Sequence, residues 1–230
     1  MRLRSTAFTL VELLVVVSVI ALLIGILLPA LGASRDAARQ VQCLANLSSI
    51  GKAVASYTTD HRGSFPRNSH STGNQNSPDA WLQSLAPYGL IEDARKCPGD
   101  PNRQATSRRT SYALTEYIDP LVADYDYDSV TGTSLIRGKA YPTIQSVPRP
   151  PDTLLAVEAK DGPGTIDHLH SAEWTSASQM TSEIAVLRHR GAANYLYMDG
   201  HAKNIAYDVF LQKFTNVSNH PFNPETARGF

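Results

Sequence analysis

The sequence predicts an α+β fold: one long N-terminal helix, transmembrane at first and then amphipathic, packed on an antiparallel β-sheet. Three stretches carry the prediction. Phe8 to Leu31 is almost wholly apolar, with Glu12 its only charge. From Val41 to Tyr57 apolar residues return at spacings of three and four, the period of one helix face. The C-terminal half strings β-leaning runs between turn signals and includes Asp199-Gly200, the strongest short-range hairpin signal.

Phe8–Leu28 is 21 residues long. As a helix it spans about 31 Å, the hydrocarbon thickness of a bilayer. A lone carboxylate in such a segment costs roughly 2.5–3.5 kcal/mol near the centre, so Glu12 calls for a reason. It lies one helical turn after Phe8, and the short leader before Phe8 carries Arg2 and Arg4. A cut between Ala7 and Phe8 would create an ammonium that pairs with the Glu12 carboxylate. The two arginines place the N-terminus in the cytoplasm by the positive-inside rule, and everything after Leu31 outside the membrane. A secretory signal would have a shorter apolar core ending in a small-x-small cleavage site. This run is longer and continues into more helix. A plain membrane anchor is the competing reading of the segment. Pro29, after Gly25 by one turn, predicts a kink or a stretch prone to melting.

Beyond Leu31, the residues Val41, Leu44, Leu47, Gly51, Val54 and Tyr57 make one apolar face, with Arg35, Asp36, Arg39, Gln42 and Lys52 mostly on the others. The two parts form one helix of about 50 residues, roughly 75 Å, with Gly63 as its stop signal. The organisation is then a leader at 1–7, a transmembrane helix at 8–31, its amphipathic continuation at 32–60 and a globular ectodomain at 61–230. Within that ectodomain, Ser64 to Pro78 reads as a loop. Ser77-Pro78 opens a short helix that carries Trp81, Leu82 and Leu85, and Cys97 to Pro101 is a turn. Strands are expected at Tyr112–Ile118, at Thr153–Val157 (buried), around Tyr195 and Tyr197, and at His201–Ile205.

The net charge is zero, which removes any overall electrostatic case for nucleic acid or an anionic surface as partner. Cys43 and Cys97 are the two cysteines. In an oxidising compartment they either pair, for which loop closure predicts about 4 kcal/mol of stabilisation, or remain as two unpaired thiols. Neither belongs to a C-x-x-C pair, so no metal site is expected from them. Asp124, Asp126 and Asp128 begin like an EF-hand loop, but Ser129 replaces the turn glycine and Leu135 the bidentate glutamate. A solvated acidic loop is the expectation, and a calcium site of another geometry the weaker alternative. His168 and His170 would share one face of a strand, without further ligands at defined spacing. No nucleophile-elbow motif accompanies the histidines, and no enzymatic activity or cofactor is expected.

Ala7-Phe8-Thr9-Leu10-Val11-Glu12-Leu13-Leu14-Val15-Val16 closely resembles the signal of type IV pilins and type II secretion pseudopilins. Ala7 stands where that family usually has Gly, which implies slower cleavage. Pro29 falls at a place where many pilins also have proline. Near the other end, His189 and Asp199-Gly200 form an H-x9-D-G arrangement that resembles the C-terminal domain associated with prepilin-type processing signals. The resemblance implies a pilin-like fold, cleavage and N-methylation at Phe8 by a prepilin peptidase, and assembly through Glu12. It implies membrane lipid, other pilin or pseudopilin subunits and an inner-membrane assembly platform as partners. The function implied is a structural filament subunit, against a membrane-anchored extracytoplasmic binding module that uses the signal for sorting only. His189, Asp199 and Gly200 are expected to be architectural, with His189 fixing a two-residue Asp199-Gly200 turn.

Overall fold

A computed structural model describes residues 9–69, 80–119, 139–162, 167–171, 174, 176–213 and 220–228. The chain divides into two compact units, Met1–Ala38 and Arg39–Phe230. Helix α1, Leu10–Asp60, runs unbroken through Pro29. In the first unit the large apolar side chains from Leu10 to Leu31 are all exposed. The segment is long and apolar enough to cross a membrane, and such a surface has no stable place in water.

In the second unit α1 buries Cys43, Leu47, Ile50, Gly51, Ala53, Val54 and Thr58. The buried face is therefore rotated from the expected one. Val41 is 65% exposed and Leu44 half-buried, while Cys43 and Ile50 face inward on either side of Leu47. The helix ends at Asp60, three residues before Gly63. Arg62 takes the left-handed conformation at φ 56°, and the Gly63 amide donates to the Thr58 carbonyl at 2.7 Å. That is the six-to-one bond of a Schellman cap, which satisfies a terminal carbonyl.

The sheet has five strands: β1 (Tyr112–Thr115), β2 (Leu154–Glu158), β3 (His168–Leu169), β4 (Ala192–Tyr197) and β5 (Ala202–Ala206), in the order β3-β1-β2-β4-β5. It is mixed rather than wholly antiparallel, because β3 runs parallel to β1, with Leu114 opposite His168. The chain reverses after β2, but β1 and β4 already occupy both sides of β2. The returning strand therefore settles on the far edge of β1. Strand β1 ends at Thr115, earlier than its sequence predicts. There the Thr115 hydroxyl accepts the Tyr117 amide and starts a short 3-10 turn, Glu116–Ile118.

Every residue of β2 and β4 is buried, as expected of central strands covered on both faces. On one face Leu196 approaches Gly51 of α1. On the other, Tyr195 stacks on Phe210 with ring centroids 4.8 Å apart, and Phe210 belongs to helix α4 (Tyr207–Lys213). Helix α2, Ala80–Leu85, buries Trp81, Leu82 and Leu85. The Trp81 indole N–H donates to the Asp167 carbonyl at 3.0 Å, next to β3. Helix α3, Ala177–Glu183, is capped by the Ser176 hydroxyl, which accepts the Gln179 amide.

Candidate functional site

Two places concentrate polar chemistry in otherwise apolar surroundings. The first is the start of α1. The Thr9 amide and hydroxyl both donate to Glu12 Oε2, at 2.9 and 2.8 Å, and the Glu12 amide donates back to the Thr9 hydroxyl at 3.3 Å. This reciprocal arrangement is a capping box. It gives Glu12 a local task, since its carboxylate satisfies an orphan N–H and faces the positive end of the helix dipole. The pattern T-x-x-E ahead of an apolar run is legible in the sequence. Ala7 and Phe8 lie outside the described residues.

The second place lies under the part of α1 that belongs to the second unit, where four elements converge. Cys43 comes from α1, Cys97 from the turn after the 3-10 segment Glu92–Arg95, Glu158 from the end of β2, and His189 from the approach to β4. Cys43 and Cys97 are joined as a disulfide with Cα atoms 5.0 Å apart. His189 Nε2 and Glu158 Oε1 are hydrogen-bonded at 2.6 Å, with both side chains at most 2% exposed. The Asn194 backbone amide donates to Glu158 Oε2 at 3.2 Å and its side chain to Oε1 at 3.3 Å. Cys97 Sγ lies 3.4 Å from Glu158 Oε1 and 3.6 Å from His189 Nε2. Gly99 packs closely on one side of the cluster: a methyl group there would come within 3.0 Å of His189 Cε1.

Around this centre, Tyr112 donates from its hydroxyl to the Cys43 carbonyl at 3.3 Å. Burial, and next the Glu158 carboxylate, push that hydroxyl well above the ordinary tyrosine range. A second buried pair lies nearby, Arg108 Nε donating to Asp100 Oδ2 at 2.8 Å with both side chains inaccessible. Burial alone would raise the Asp100 carboxyl. The Ser111 hydroxyl, Arg188, the Asn102 amide and Arg108 outweigh it and hold the group below its ordinary 3.8.

His189 and Asp199-Gly200 are not one constellation. They sit at opposite ends of β4, whose six residues rise about 20 Å. His189 and Ala192 exchange both backbone hydrogen bonds around Arg190 (φ 56°) and Gly191 (φ 89°). This is the two-residue turn of positive-φ residues, and it lies at the near end of the strand. At the far end Gly200 donates to the Tyr197 carbonyl and Tyr197 to the His201 carbonyl. Only Gly200 has positive φ, at 93°, so Met198-Asp199-Gly200 is a three-residue loop of the type I plus bulge kind. Asp199 secures it, accepting from the His201 amide at 3.1 Å and contacting His201 Nδ1 at 2.6 Å. The expectation that His189 fixes this turn is thus corrected: His201 does so, because it is the residue next to the loop.

His168 and His170 stand with ring centroids 4.9 Å apart. Their Nδ1 atoms contact Asp167 Oδ1 at 2.7 Å and Glu183 Oε1 at 3.0 Å. The Ser69 hydroxyl donates to Asp167 rather than to His168 Nε2, so this trio lacks the geometry of a nucleophilic triad. Asp124, Asp126 and Asp128 lie outside the described residues. A small apolar cleft of about 250 Å³ between α1 and the Gly200 loop is lined by Val54, Phe65, Leu155 and Met198, among others. It is below the usual range for a small-molecule site.

Comparison with known families matches residues 2–28 to the prokaryotic N-terminal methylation motif. Residues 32–93 match a protein of unknown function (DUF1559). No curated protein and no solved structure matches the chain. The chain therefore carries a prepilin-type methylation motif followed by a DUF1559 segment. The motif supports a prepilin-processed protein of pilin or pseudopilin type, and the apolar helix is consistent with a single-pass membrane anchor.

Proposed function

We propose that this chain is a subunit of a type IV pilus-like or type II secretion pseudopilus filament. A prepilin peptidase would free and methylate Phe8. The single observation that carries the reading is the start of α1: an apolar run exposed from Leu10 to Leu31 opens on a Thr9–Glu12 capping box within the methylation motif. Before assembly lipid covers that surface, with the N-terminus cytoplasmic and the ectodomain outside. In a filament the helices of neighbouring subunits cover it instead. Both Thr9 bonds fall on Glu12 Oε2, which leaves Oε1 to meet the Phe8 ammonium of a neighbour. Correct axial register is then the one that pairs the two charges in a low-dielectric core, where an unpaired charge is costly.

Mass spectrometry of the mature N-terminus, with filament imaging of the parent and of Glu12→Ala, tests this. The expected outcome is N-methylated Phe8, normal membrane insertion of the variant and loss of its filaments. An intact Met1, or a cut beyond Leu28, would overturn the reading. A methylated chain that enters no filament would favour the membrane-anchored binding module.

A further inference from the structure

We propose that the cluster beneath α1 is a redox-gated zinc site. With both cysteines reduced it holds one Zn²⁺ through Cys43 Sγ, Cys97 Sγ, Glu158 Oε1 and His189 Nε2; closing the disulfide expels the ion. Among the described residues these four side chains offer ligand atoms that all lie within 4.8 Å of one another, and all four are buried. Two thiolates, one imidazole and one carboxylate are ligands that zinc takes, in the number that a closed tetrahedral site requires. The soft sulfurs disfavour magnesium and calcium.

The spacing fits. Zn–S bonds near 2.3 Å and Zn–N or Zn–O bonds near 2.0–2.1 Å put tetrahedral ligand atoms roughly 3.3–3.8 Å apart. Cys97 Sγ already stands 3.6 Å from His189 Nε2 and 3.4 Å from Glu158 Oε1. The Glu158–His189 contact at 2.6 Å widens by less than about 1 Å to admit the ion, and the sulfurs separate by under about 2 Å once their bond is broken. An outer shell is in place: both Asn194 donors hold the Glu158 carboxylate, as outer partners orient ligands in metal sites. A disulfide by itself needs no ionisable pair beside it. Burying Glu158 and His189 against the two sulfurs carries a desolvation cost that an apolar pair would avoid, and metal ligation accounts for that choice of residues.

The chemistry balances. In the newly made chain Cys43 and Cys97 are thiols; binding Zn²⁺ releases their two protons and forms two Zn–S bonds. A disulfide donor then accepts two electrons and two protons, becoming two thiols. The Zn–S bonds break, the Cys43–Cys97 bond forms and Zn²⁺ leaves. The same four side chains then serve as two alternative staples between α1 and the sheet.

The test uses the full chain in detergent, reduced with a water-soluble phosphine, supplied with zinc sulfate and freed of excess metal by gel filtration. Elemental analysis should find one zinc per reduced chain. Cobalt in its place should show the visible bands of a tetrahedral thiolate site. Oxidised glutathione should release one equivalent of zinc to a chromophoric chelator as the two thiols disappear. Asn194→Ala should weaken binding by roughly 10–100-fold, and Glu158→Gln or His189→Ala by more. Far-UV circular dichroism is read on every sample. If the reduced chain is unfolded without metal, added zinc should refold it. A reduced chain that is folded without bound zinc, one that zinc fails to refold, or equal zinc retention after Cys43→Ala/Cys97→Ala would each overturn the proposal.

Discussion

Replacing Gly51 by alanine puts a methyl group where helix α1 meets the Met198–Gly200 loop. A Cβ there stands 2.9 Å from the Gly200 carbonyl oxygen and 2.9 Å from Leu196 Cδ1. The leucine methyl can rotate away, but the carbonyl is backbone of a loop held by two hydrogen bonds and by Asp199. Overpacking of this kind costs about 1–3 kcal/mol. The substitution also gains up to about 1 kcal/mol of helix propensity. The net expectation is a loss of roughly 1 kcal/mol, which lowers Tm by about 2–4 °C in a chain of this size. Thermal unfolding of the detergent-solubilised chain, followed by circular dichroism, measures it. Ala55→Gly on the exposed face of the same helix calibrates the propensity contribution. If Gly51→Ala raises Tm by as much as Ala55→Gly lowers it, helix and loop do not approach each other as described.

In oxidised protein, His189→Ala leaves the fully buried Glu158 carboxylate to its two Asn194 donors, so urea unfolding should show a loss of up to about 3–5 kcal/mol; a change under about 1 kcal/mol would mean that the pair carries little. Gly200→Val forces a β-branched residue into positive φ and should cost at least the roughly 1–2 kcal/mol of a left-handed residue. An unaltered melting curve would remove the loop assignment. Asp100 has a folded-state pKa below its ordinary 3.8, so its contribution is complete above that value and is lost as pH falls through the lower folded one. Asp100→Asn should therefore destabilise the protein at neutral pH and flatten the acid limb of its stability profile. A variant with the parent's acid limb would show that Asp100 does not drive that limb.

Much of the architecture follows from local patterns. The apolar run after Phe8, the helical period through Leu47, Gly51 and Val54, the Trp81 helix and the buried strand at Leu154 all report on the backbone conformation of their own segment. Periodicity did not fix rotation and register. Val41 and Leu44 match the helical period as well as Ile50 does, but the face that packs on the sheet is the one through Cys43, Leu47 and Ile50. Likewise Asp199-Gly200 is a sound turn signal whose type is set by pairing, with Tyr197 opposite His201 and one extra residue in the loop. Arg190-Gly191 forms the two-residue turn although its sequence is the weaker signal.

The sequence by itself determined the membrane-length helix, the methylation motif and the existence of an α+β globular part, because each depends on residues within a helical turn or two of one another. Even the Thr9–Glu12 box is written in four consecutive positions. Only the tertiary structure decided that Cys43, Cys97, Glu158 and His189 form one buried centre. They come from four elements, and Glu158 ends a strand whose sequence, LLAVE, reads only as core. Ligand spacing along a chain reveals a site when one turn or one loop supplies it. Here the sheet order and the position of α1 across it supply the site, and no local pattern encodes them.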